Sequence, residues 1–305
     1  MLFASEMRNG QPNADLDGLL RKLREIRREI RDEYLQSHAK PWIIGFSGGK
    51  DSTLLTHLVV ECILSVPPDE RRRQIHVCSN DTLVESPVFQ SFVDKVLNRM
   101  RESFTALTIP VEVAKTAPLL EESFWVNLLG RGYPAPKRMF RWCTDRMKIR
   151  PTSRFIQEQV ARNGEAVLLL GTRRAESAER AKNIEKRTGS GSAKRLNPHS
   201  DLKGCQIFTP ILDLSTDEVW LTLLNLRPPW GGDYRELLQL YSHANGGECP
   251  FVVSDADPAS CGTTSARFGC WTCTVVEKDA SIEALIDAGF EELEPLAGFR
   301  NRIKT

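Results

Sequence analysis

The sequence predicts an α/β protein with a doubly wound parallel sheet and a cysteine-rich appendix at its C-terminal end. Three observations predict this class. Short apolar runs alternate with stretches of helical periodicity over residues 41–226, a glycine-rich loop follows the first run, and four of the eight cysteines crowd into residues 249–273. Alternating strands and helices favour a parallel sheet covered on both faces. Ligands of such sheets bind at the carboxyl ends of the strands.

The first predicted element is an amphipathic helix over Asp15–Ser37, ahead of the sheet. Apolar residues recur there at helical spacing, and Arg, Lys and Glu fill the other face. We expect such a helix to serve as a docking or dimer element, so a homodimer is a possible assembly. The apolar positions are Leu16, Leu19, Leu20, Leu23, Ile26 and Ile30.

Four apolar strands form the predicted sheet, and helical periodicity fills the segments between them. Residues 188–206 are rich in Gly, Ser, Lys and Asn without an apolar period, which predicts a mobile loop. A further helix is capped by Ser215 or Thr216 and runs through Leu226. The strands are Trp42–Phe46, Ile75–Cys78, Ile109–Val113 and Ala166–Leu170. The helices between them are Leu54–Ile63, Val88–Met100 and Thr152–Arg162.

Formal charge is nearly balanced, at +1, so the whole molecule has no strong field to attract nucleic acid or anionic lipid. No stretch approaches the roughly 20 uncharged apolar residues of a membrane helix. The first residues lack the features of a signal peptide, and we expect a cytoplasmic protein with no membrane partner.

A polyanion would have to meet a local basic patch, and residues 131–154 form the densest basic stretch, with Asp145 as its single acid. A second stretch, 173–203, is more diluted by acids. Each is either a binding patch or an ordinary solvated surface. The basic residues of the first stretch are Arg131, Lys137, Arg138, Arg141, Arg146, Lys148, Arg150 and Arg154.

The glycine-rich segment SGGKDS lies between a predicted strand and a predicted helix. Backbone amides that converge at a helix N-terminus bind anions, and glycines let a phosphate come close to the backbone. Lysine adds a point charge and the serines add hydroxyls. The G-x-x-x-x-G-K-[ST] spacing of a Walker loop is absent. The candidate phosphate-binding residues are Ser47, Gly48, Gly49, Lys50, Asp51 and Ser52.

With a strand before it and a helix after it, this segment resembles the PP-loop of the adenine-nucleotide α-hydrolase superfamily. Those ATP pyrophosphatases hold the pyrophosphate of ATP in the loop and pass AMP to an acceptor oxygen. The resemblance implies ATP and Mg²⁺ as cofactors, with Mg²⁺ bridging phosphate oxygens with help from Asp51. It also implies catalytic roles for Ser47, Lys50 and Asp51.

Two further segments resemble phosphoadenylylsulfate reductase-like proteins of that superfamily. An Asp-Thr pair follows the second strand, and the segment GTRRAES follows the fourth. The resemblance implies that Asp81 and Thr82 flank the nucleotide. It places the second segment on the phosphate and acceptor side, with Arg173 and Glu176 as catalytic residues. The residues of that side are Gly171, Arg173, Glu176, Ser177 and Arg180.

The cysteines divide into two groups. Cys62 and Cys78 lie in apolar runs and are predicted to be small buried hydrophobes. In a reducing cytosol, the spacing Cys261-x8-Cys270-x2-Cys273 favours a metal site, with Cys143 or Cys249 as the fourth thiolate. Nearby cations are expected to lower the pKa of Cys143. Zinc and a 4Fe-4S cluster both fit four thiolates, and the loose apolar loop before Cys270 favours the cluster.

The segments GECP, CG and RFGCWTCTVV, which hold these C-terminal thiols, together resemble the Dnd/Ssp-type DNA phosphorothioation sulfurtransferase. The segments PPWG and PLAGFR resemble its C-terminal half. The resemblance implies adenylation of a DNA backbone oxygen and its replacement by sulfur. It implies as partners DNA, bound weakly, a cysteine desulfurase as sulfur donor, and other phosphorothioation proteins. The implied cluster ligands are Cys143, Cys261, Cys270 and Cys273, and Cys249 has no assigned role.

The predicted domains are an N-terminal amphipathic helix at 1–40, a PP-loop ATP pyrophosphatase domain at 41–226 and an iron-sulfur region at 227–305. Three rival functions remain. A phosphoadenylylsulfate reductase would bind adenylylated sulfate without hydrolysing ATP, and a tRNA thiolase would carry out the same chemistry on another polymer. The third is a zinc-holding scaffold with a vestigial loop, against which intact Ser47, Lys50 and Asp51 argue.

Overall fold

The computed structural model describes residues 14–38, 40–174, 196–244 and 268–304. In this part of the chain, helices flank one six-stranded sheet. The strands are β1 (Trp42–Gly45), β2 (Ile75–Asn80), β3 (Val111–Thr116), β4 (Ala166–Leu169), β5 (Leu196–Pro198) and β6 (Cys205–Phe208). The longer helices are α1 (Ala14–Tyr34), α2 (Lys50–Ser65), α3 (Pro87–Ala106), α4 (Arg150–Asn163), α5 (Thr216–Leu224), α6 (Arg235–Ala244), α7 (Ala280–Asp287) and α8 (Glu294–Lys304).

Short helical turns complete the connections between these elements. The turns with 3-10 geometry are Pro68–Glu70, Leu120–Glu122 and Glu291–Leu293. Helical turns at Trp142–Thr144 (α) and Asp145–Ile149 (π) lead directly into α4, and Val126–Gly130 is a further π turn.

The sheet has the strand order β3-β2-β1-β4-β6-β5, and all neighbours are parallel except β5 and β6. The chain runs outward from β1 through β2 to β3, then returns to the other side of β1 as β4. The order therefore reverses at β1 and β4, and the carboxyl ends of these strands form the crevice in which such sheets bind ligands. The predicted α/β class with a doubly wound, mostly parallel sheet is confirmed.

Helix α1 packs its apolar face on the body of the molecule. Leu19, Leu23, Ile26 and Ile30 are each at most 4% exposed and belong to the same core cluster as the residues of α2. This burial occupies the face that we expected to serve as a docking or dimer element. A homodimer stays a prediction, and it would need another surface.

Some strand bounds differ from the predicted ones. The differences occur where a strand is defined by backbone pairing with its neighbour and not by its own apolar residues. β2 and β3 continue in parallel register to Asn80 and Thr116, beyond their apolar runs. β5 lies in the segment that we predicted as a loop. It is a three-residue edge strand that pairs antiparallel with β6, so that Leu196 lies opposite Phe208. A strand this short has no apolar periodicity that the sequence could reveal.

The described part of the C-terminal region shares the core of the sheet domain. Tyr234, which directly precedes α6, Leu237 of α6, Ile282 and Leu285 of α7, and Leu293 belong to one cluster with α1 and α2. The three predicted domains stay a prediction. Within the described residues, no helix is both long enough and apolar enough to cross a membrane.

Candidate functional site

The glycine-rich loop connects β1 to the N-terminus of α2, as the sequence predicts. Its two serines hold the loop together, because the Ser47 amide donates to Ser52 Oγ at 3.2 Å and the two hydroxyl oxygens lie 3.1 Å apart. Ser52 Oγ also donates to the carbonyl of Gly49, the N-cap residue of α2, at 3.0 Å. The first amides of a helix have no intrahelical acceptor, so this start of α2 can bind an anion.

Two glycines let neighbouring elements pack closely against the loop. Gly48 has φ +76°, and a Cβ there would lie 2.4 Å from Val93 Cγ2 on α3. Gly171 follows β4, and a Cβ there would lie 2.9 Å from the carbonyl of Asp51. Any side chain at Gly171 would push the end of β4 away from the start of α2.

Asp51 is held by two cations. Arg173 Nε donates to Asp51 Oδ1 at 2.6 Å, and Lys50 Nζ lies 3.2 Å from Asp51 Oδ2. Arg173 is only 1% exposed and also donates to the carbonyl of Leu214 and to Thr216 Oγ1. Arg173 therefore lies beneath the loop, where it positions Asp51, and not on an open phosphate-binding surface.

A cavity of about 250 Å³ lies at the carboxyl ends of β1 and β2 and reaches Ser47. One wall is aromatic, because Phe268 stacks on Phe89 with ring centroids 4.4 Å apart and an angle of 6° between the rings. Its polar lining includes side chains from both strand ends and from the basic stretch. These are Ser47, Asn80, Glu85, Lys148 and Thr152.

The Asp-Thr pair after β2 lies beside this cavity but does not line it. Asp81 accepts a hydrogen bond from the Leu83 amide at 2.8 Å and pairs with Lys115 at 3.0 Å. It borders an open groove along α3 instead. Thr82 is fully buried and donates to Glu85 Oε1 at 3.0 Å.

Three of the four predicted thiolate ligands are described, and they share one neighbourhood. The backbone of residues 84–86 pairs with residues 269–271, which brings Cys270 within 3.4 Å of Thr82 Oγ1. Burial, and then the charge of Glu85, raise the pKa of Cys270 to about 12. Cys270 and Cys273 lie on one turn, closed by a hydrogen bond from the Cys273 amide to the Cys270 carbonyl at 3.0 Å.

The pKa of Cys143 corrects one expectation. Burial raises this pKa, and the Cys273 thiol raises it further, although cations surround the segment in sequence. We expected those cations to lower it, but burial disfavours the thiolate, and the groups that lower the pKa are hydrogen bonds at Thr144 and the local backbone. Across residues 14–38, 40–174, 196–244 and 268–304, no three His, Cys, Asp or Glu side chains form a group that could hold a metal.

Cys62 and Cys78 are 6% and 4% exposed, which confirms that they are small buried hydrophobes. Burial raises their pKa values to about 12 and about 11. Several predicted site residues lie outside the described residues, and the structure places none of them. They are Glu176, Ser177, Arg180, Cys249 and Cys261.

Two residues that the sequence analysis did not assign to the site connect the cavity to the thiols. Glu85 lines the cavity and accepts a hydrogen bond from the Cys270 thiol at 3.8 Å. Lys148 also lines the cavity, and its Nζ lies 3.3 Å from Glu85 Oε1. Burial opposes the charge of Lys148, but Cys270 and Glu85 together raise its pKa. The only signal in the sequence was that Glu85 follows the Asp-Thr pair and that Lys148 belongs to the basic stretch.

A parallel α/β sheet with an anion-binding loop at its carboxyl edge defines a nucleotide-binding protein of the doubly wound class. The family described as the phosphoadenosine phosphosulfate reductase domain matches residues 41–276, and the chain belongs to this family. This confirms the predicted phosphoadenylylsulfate reductase-like domain of the PP-loop superfamily, and with it the prediction of an enzyme. The named compound carries a nucleotide and a sulfur group, which agrees with nucleotide-dependent sulfur chemistry.

Among curated proteins, an uncharacterized protein of Methanocaldococcus jannaschii is 26% identical over 197 residues. The match covers 65% of this chain and 34% of that protein, so the chain spans about a third of the length of the curated relative.

Among solved structures, the phosphoadenylyl-sulfate reductase of Candida auris is similar with a TM-score of 0.39 and 13% identity, over 71% of this chain and 88% of that one. The FMN adenylyltransferase of Candida glabrata has a TM-score of 0.46 and 11% identity, over 79% and 64%. The U34-tRNA thiolase NcsA of Methanococcus maripaludis, with its [4Fe-4S] cluster, has a TM-score of 0.40 and 13% identity, over 93% and 78%. The assignment rests on the family match.

Proposed function

We propose that this protein is an ATP pyrophosphatase and sulfurtransferase that adenylates a non-bridging oxygen of the DNA backbone, so that sulfur can replace it. One observation carries the proposal. A single cavity extends from Ser47 in the phosphate loop to Glu85, which accepts a hydrogen bond from the Cys270 thiol. A nucleotide in this cavity and a sulfur chemistry at the thiols would therefore be neighbours.

The loop supplies the groups that pyrophosphate binding needs. The amides at the start of α2 would donate hydrogen bonds to the β- and γ-phosphates, and the Lys50 ammonium would neutralise part of their negative charge. Asp51, fixed by Arg173, is the carboxylate that would help to hold Mg²⁺ against phosphate oxygens, since Mg²⁺ sites in nucleotide enzymes use one or two carboxylates with the substrate phosphates.

The reaction would proceed in two displacements. The acceptor oxygen attacks the α-phosphorus of ATP, forming an oxygen–phosphorus bond while the bond to pyrophosphate breaks. Lys50 and the loop amides stabilise the charge on the departing pyrophosphate. An external thiol first attacks the persulfide of the cysteine desulfurase, which releases hydrosulfide and forms a disulfide. The hydrosulfide then attacks the DNA phosphorus, forming the sulfur–phosphorus bond, and AMP leaves with the original oxygen.

The thiols suit a 4Fe-4S cluster by the chemistry of the donor set. Cys143, Cys270 and Cys273 lie half-buried in one neighbourhood, and Cys261 is the candidate for the fourth ligand. Such a cluster, when bound, supplies a site for sulfur or for electrons. Zinc is the alternative metal for the same four thiolates.

Pyrophosphate release tests the proposal. Without DNA, water can take the place of the acceptor oxygen, so the purified protein should hydrolyse ATP to AMP and pyrophosphate. Mg²⁺ should be required, because it neutralises the phosphates that the loop binds. Ser47→Ala should lower this rate by about 10²-fold, the usual cost of one lost transition-state contact. The control is Ser65→Ala, at the far end of α2. Release of orthophosphate from the γ-position would contradict the proposal.

A second candidate is phosphoadenylylsulfate reduction, which the family match favours. This reaction needs no ATP cleavage. A protein that binds adenylylated sulfate, reduces it to sulfite with a thiol donor and leaves ATP intact would replace the first proposal with this one.

A further inference from the structure

A small turn projects from the basic stretch. Phe140 N donates to the Lys137 carbonyl at 2.8 Å, and Lys137 N donates back to the Phe140 carbonyl at 3.1 Å. This pair of hydrogen bonds closes a two-residue turn with Arg138 and Met139 at its tip. Met139 is 94% exposed and Phe140 is 47% exposed. Two adjacent large apolar side chains therefore stand in solvent.

Positive charge surrounds these two side chains. Residues 123–144 contain no Asp or Glu, in a chain whose net charge is only +1. Elsewhere in the basic stretch, Arg150 and Arg154 are bound to Glu122. Within the described part of the chain, the exposed cations of the turn have no such carboxylate partner. They are Lys137, Arg138 and Arg141.

The base of the turn is anchored to the segments that hold the thiols. Trp142 Nε1 donates to the Pro134 carbonyl at 3.0 Å, and Trp142 directly precedes Cys143. Thr274 Oγ1 donates to the Pro136 carbonyl at 2.6 Å, and Thr274 directly follows Cys273. Whatever binds the turn is therefore held close to the thiol neighbourhood.

We propose that residues 137–141 form a DNA wedge. Met139 and Phe140 insert between neighbouring base pairs of a duplex, and the three cations contact the phosphates on either side. Proteins that kink DNA use one or two apolar side chains in a cationic frame in this way. The inference deepens the proposed function and rests on it, because the unstacked step would lie beside the sulfur chemistry.

The chemistry of the turn favours DNA over other partners. Two apolar side chains are far too few for a stable protein interface, which needs about 800 Å² from each partner. They are also too few to hold a membrane surface. A duplex, in contrast, offers apolar faces between its base pairs and negative phosphates beside them, which suits the exposed apolar pair and the cations of the turn.

Base unstacking gives a direct test with the full-length protein. A duplex that carries 2-aminopurine should fluoresce several-fold more strongly when the protein binds at low salt. Met139→Ala/Phe140→Ala should remove this increase and weaken binding about tenfold. Lys137→Gln/Arg138→Gln should weaken binding and lower the slope of log K against log salt by about 2, since each lost phosphate contact contributes about 0.9. The matched control Leu120→Ala/Leu129→Ala removes two other exposed apolar side chains and should change nothing.

The outcomes separate the wedge from the proposed function. Binding and unstacking are measured without ATP, and pyrophosphate release is measured without DNA. Turn variants that release pyrophosphate normally but lose unstacking support the wedge. Variants that unstack DNA as the wild type does overturn it, even where pyrophosphate release stands. A protein that binds only single-stranded RNA or anionic lipid vesicles, and no duplex, also overturns it.

Discussion

Arg173 shows how a buried charge can serve a site that it does not line. In the described part of the chain, Arg173 donates hydrogen bonds to Asp51, to the Leu214 carbonyl and to Thr216 Oγ1. A buried ion pair adds little net stability over an apolar pair, but the loss of one partner leaves the other charged and unpaired. The pair therefore fixes the position of Asp51 more than it stabilises the fold.

Replacing Arg173 should thus affect catalysis and stability to different degrees. Arg173→Met should cost about 3 kcal/mol of unfolding free energy, because the half-buried Asp51 carboxylate keeps Lys50 but loses its better-placed cation. Arg173→Lys keeps the charge, so it should recover most of the stability while pyrophosphate release stays about 10-fold or more below wild type, since the fixed geometry is lost. Denaturant titrations and pyrophosphate assays measure the two effects. Equal activity in Arg173→Lys and wild type would refute the positioning role.

His57 is a second buried ionisable group, and it makes stability depend on pH. This residue of α2 is 4% exposed, and its Nδ1 lies 2.7 Å from the hydroxyl of Tyr234, which directly precedes α6. Burial lowers the pKa of His57 from 6.5 to about 4, although Glu61 acts in the opposite direction. The folded protein therefore holds this histidine neutral.

The unfolded chain takes up a proton at His57 once the pH falls below about 6.5, whereas the folded protein does so only near pH 4. Stability should accordingly be lost as the pH falls through this window, by about 2 kcal/mol between pH 7 and pH 5. In His57→Asn, which keeps an acceptor for Tyr234, this part of the pH dependence should vanish. Urea titrations of both proteins at pH 7, 6 and 5 measure the difference, and parallel curves for the two would contradict the prediction.

At the scale of elements, α8 holds the cysteine turn in place. Arg300 is 2% exposed and donates to the Cys273 carbonyl at 2.8 Å and to the Glu277 carbonyl at 2.9 Å. It also donates to the carbonyl of Val276. One side chain thus satisfies three carbonyls of the segment that follows the thiols. The last helix is therefore a support for the proposed cluster.

Arg300→Met should leave those carbonyls unsatisfied and cost about 3 kcal/mol, the penalty for buried groups that lose their donors. If the thiols hold a 4Fe-4S cluster, the anaerobically purified variant should also lose most of its iron although every cysteine is intact. Arg302→Met on the same helix is the matched control, and Cys270→Ser is the positive control for iron loss. Iron and sulfide analysis provides the measurement.

Full iron content in Arg300→Met would contradict the support role. Stoichiometric zinc in wild-type protein would replace the cluster with the structural site that the sequence left as an alternative.

The sequence predicted the elements whose burial pattern is strong and missed those that depend on long-range pairing. β1 and β4 are wholly apolar and nearly wholly buried, so an apolar run was sufficient. Helix α5 carries the predicted cap, with Ser215 and Glu218 forming a capping box. β5 exists only because β6 pairs with it, and no local pattern records such a partner.

The candidate site divides in the same way. The phosphate loop is contiguous in sequence, so its position between β1 and α2 could be predicted from SGGKDS alone. Glu85 and Lys148 are 63 residues apart, and their proximity follows from the pairing of residues 84–86 with 269–271 and from the approach of the turns before α4. The spacing of Glu85 and Lys148 in the sequence therefore could not predict that contact.

At the scale of the whole molecule, the largest hydrophobic cluster joins helix α1, one face of the sheet and helices α6 and α7. Cys143 and Cys270 pack against a smaller cluster formed by Val84, Phe124, Trp142 and Met147. Trp271, on the cysteine turn, packs against the largest cluster, so in the described residues the thiol-bearing end is not an independent module. Glu85 lines the cavity and also accepts from the Cys270 thiol, so the cavity and the thiols are direct neighbours. The proposed sulfur transfer requires such closeness, because reacting groups must meet within about 3–3.5 Å.

The choice of acceptor depends on the whole molecule, and cells that lack the protein should show which product loses its sulfur. If DNA is the acceptor, deletion of the gene should abolish sulfur in the DNA backbone, and so should Ser47→Ala or Cys270→Ser. Cys62→Ser, in the buried core, should not. Mass spectrometry of nuclease digests measures the phosphorothioate. Because the net charge is only +1, DNA binding by the isolated protein should be weak and should weaken further with salt, so that partner proteins select the site.

The same strains distinguish the rival acceptors, since each rival removes sulfur from a different product. Growth on sulfate without added cysteine should continue, and the thiouridines of tRNA should stay at wild-type levels. Loss of growth on sulfate with intact DNA sulfur would instead identify a phosphoadenylylsulfate reductase. Loss of tRNA thiouridine alone would keep the adenylation chemistry of Ser47 and Lys50 and move it to another polymer. Because all strains differ from wild type at one residue or one gene, the product that disappears identifies the acceptor.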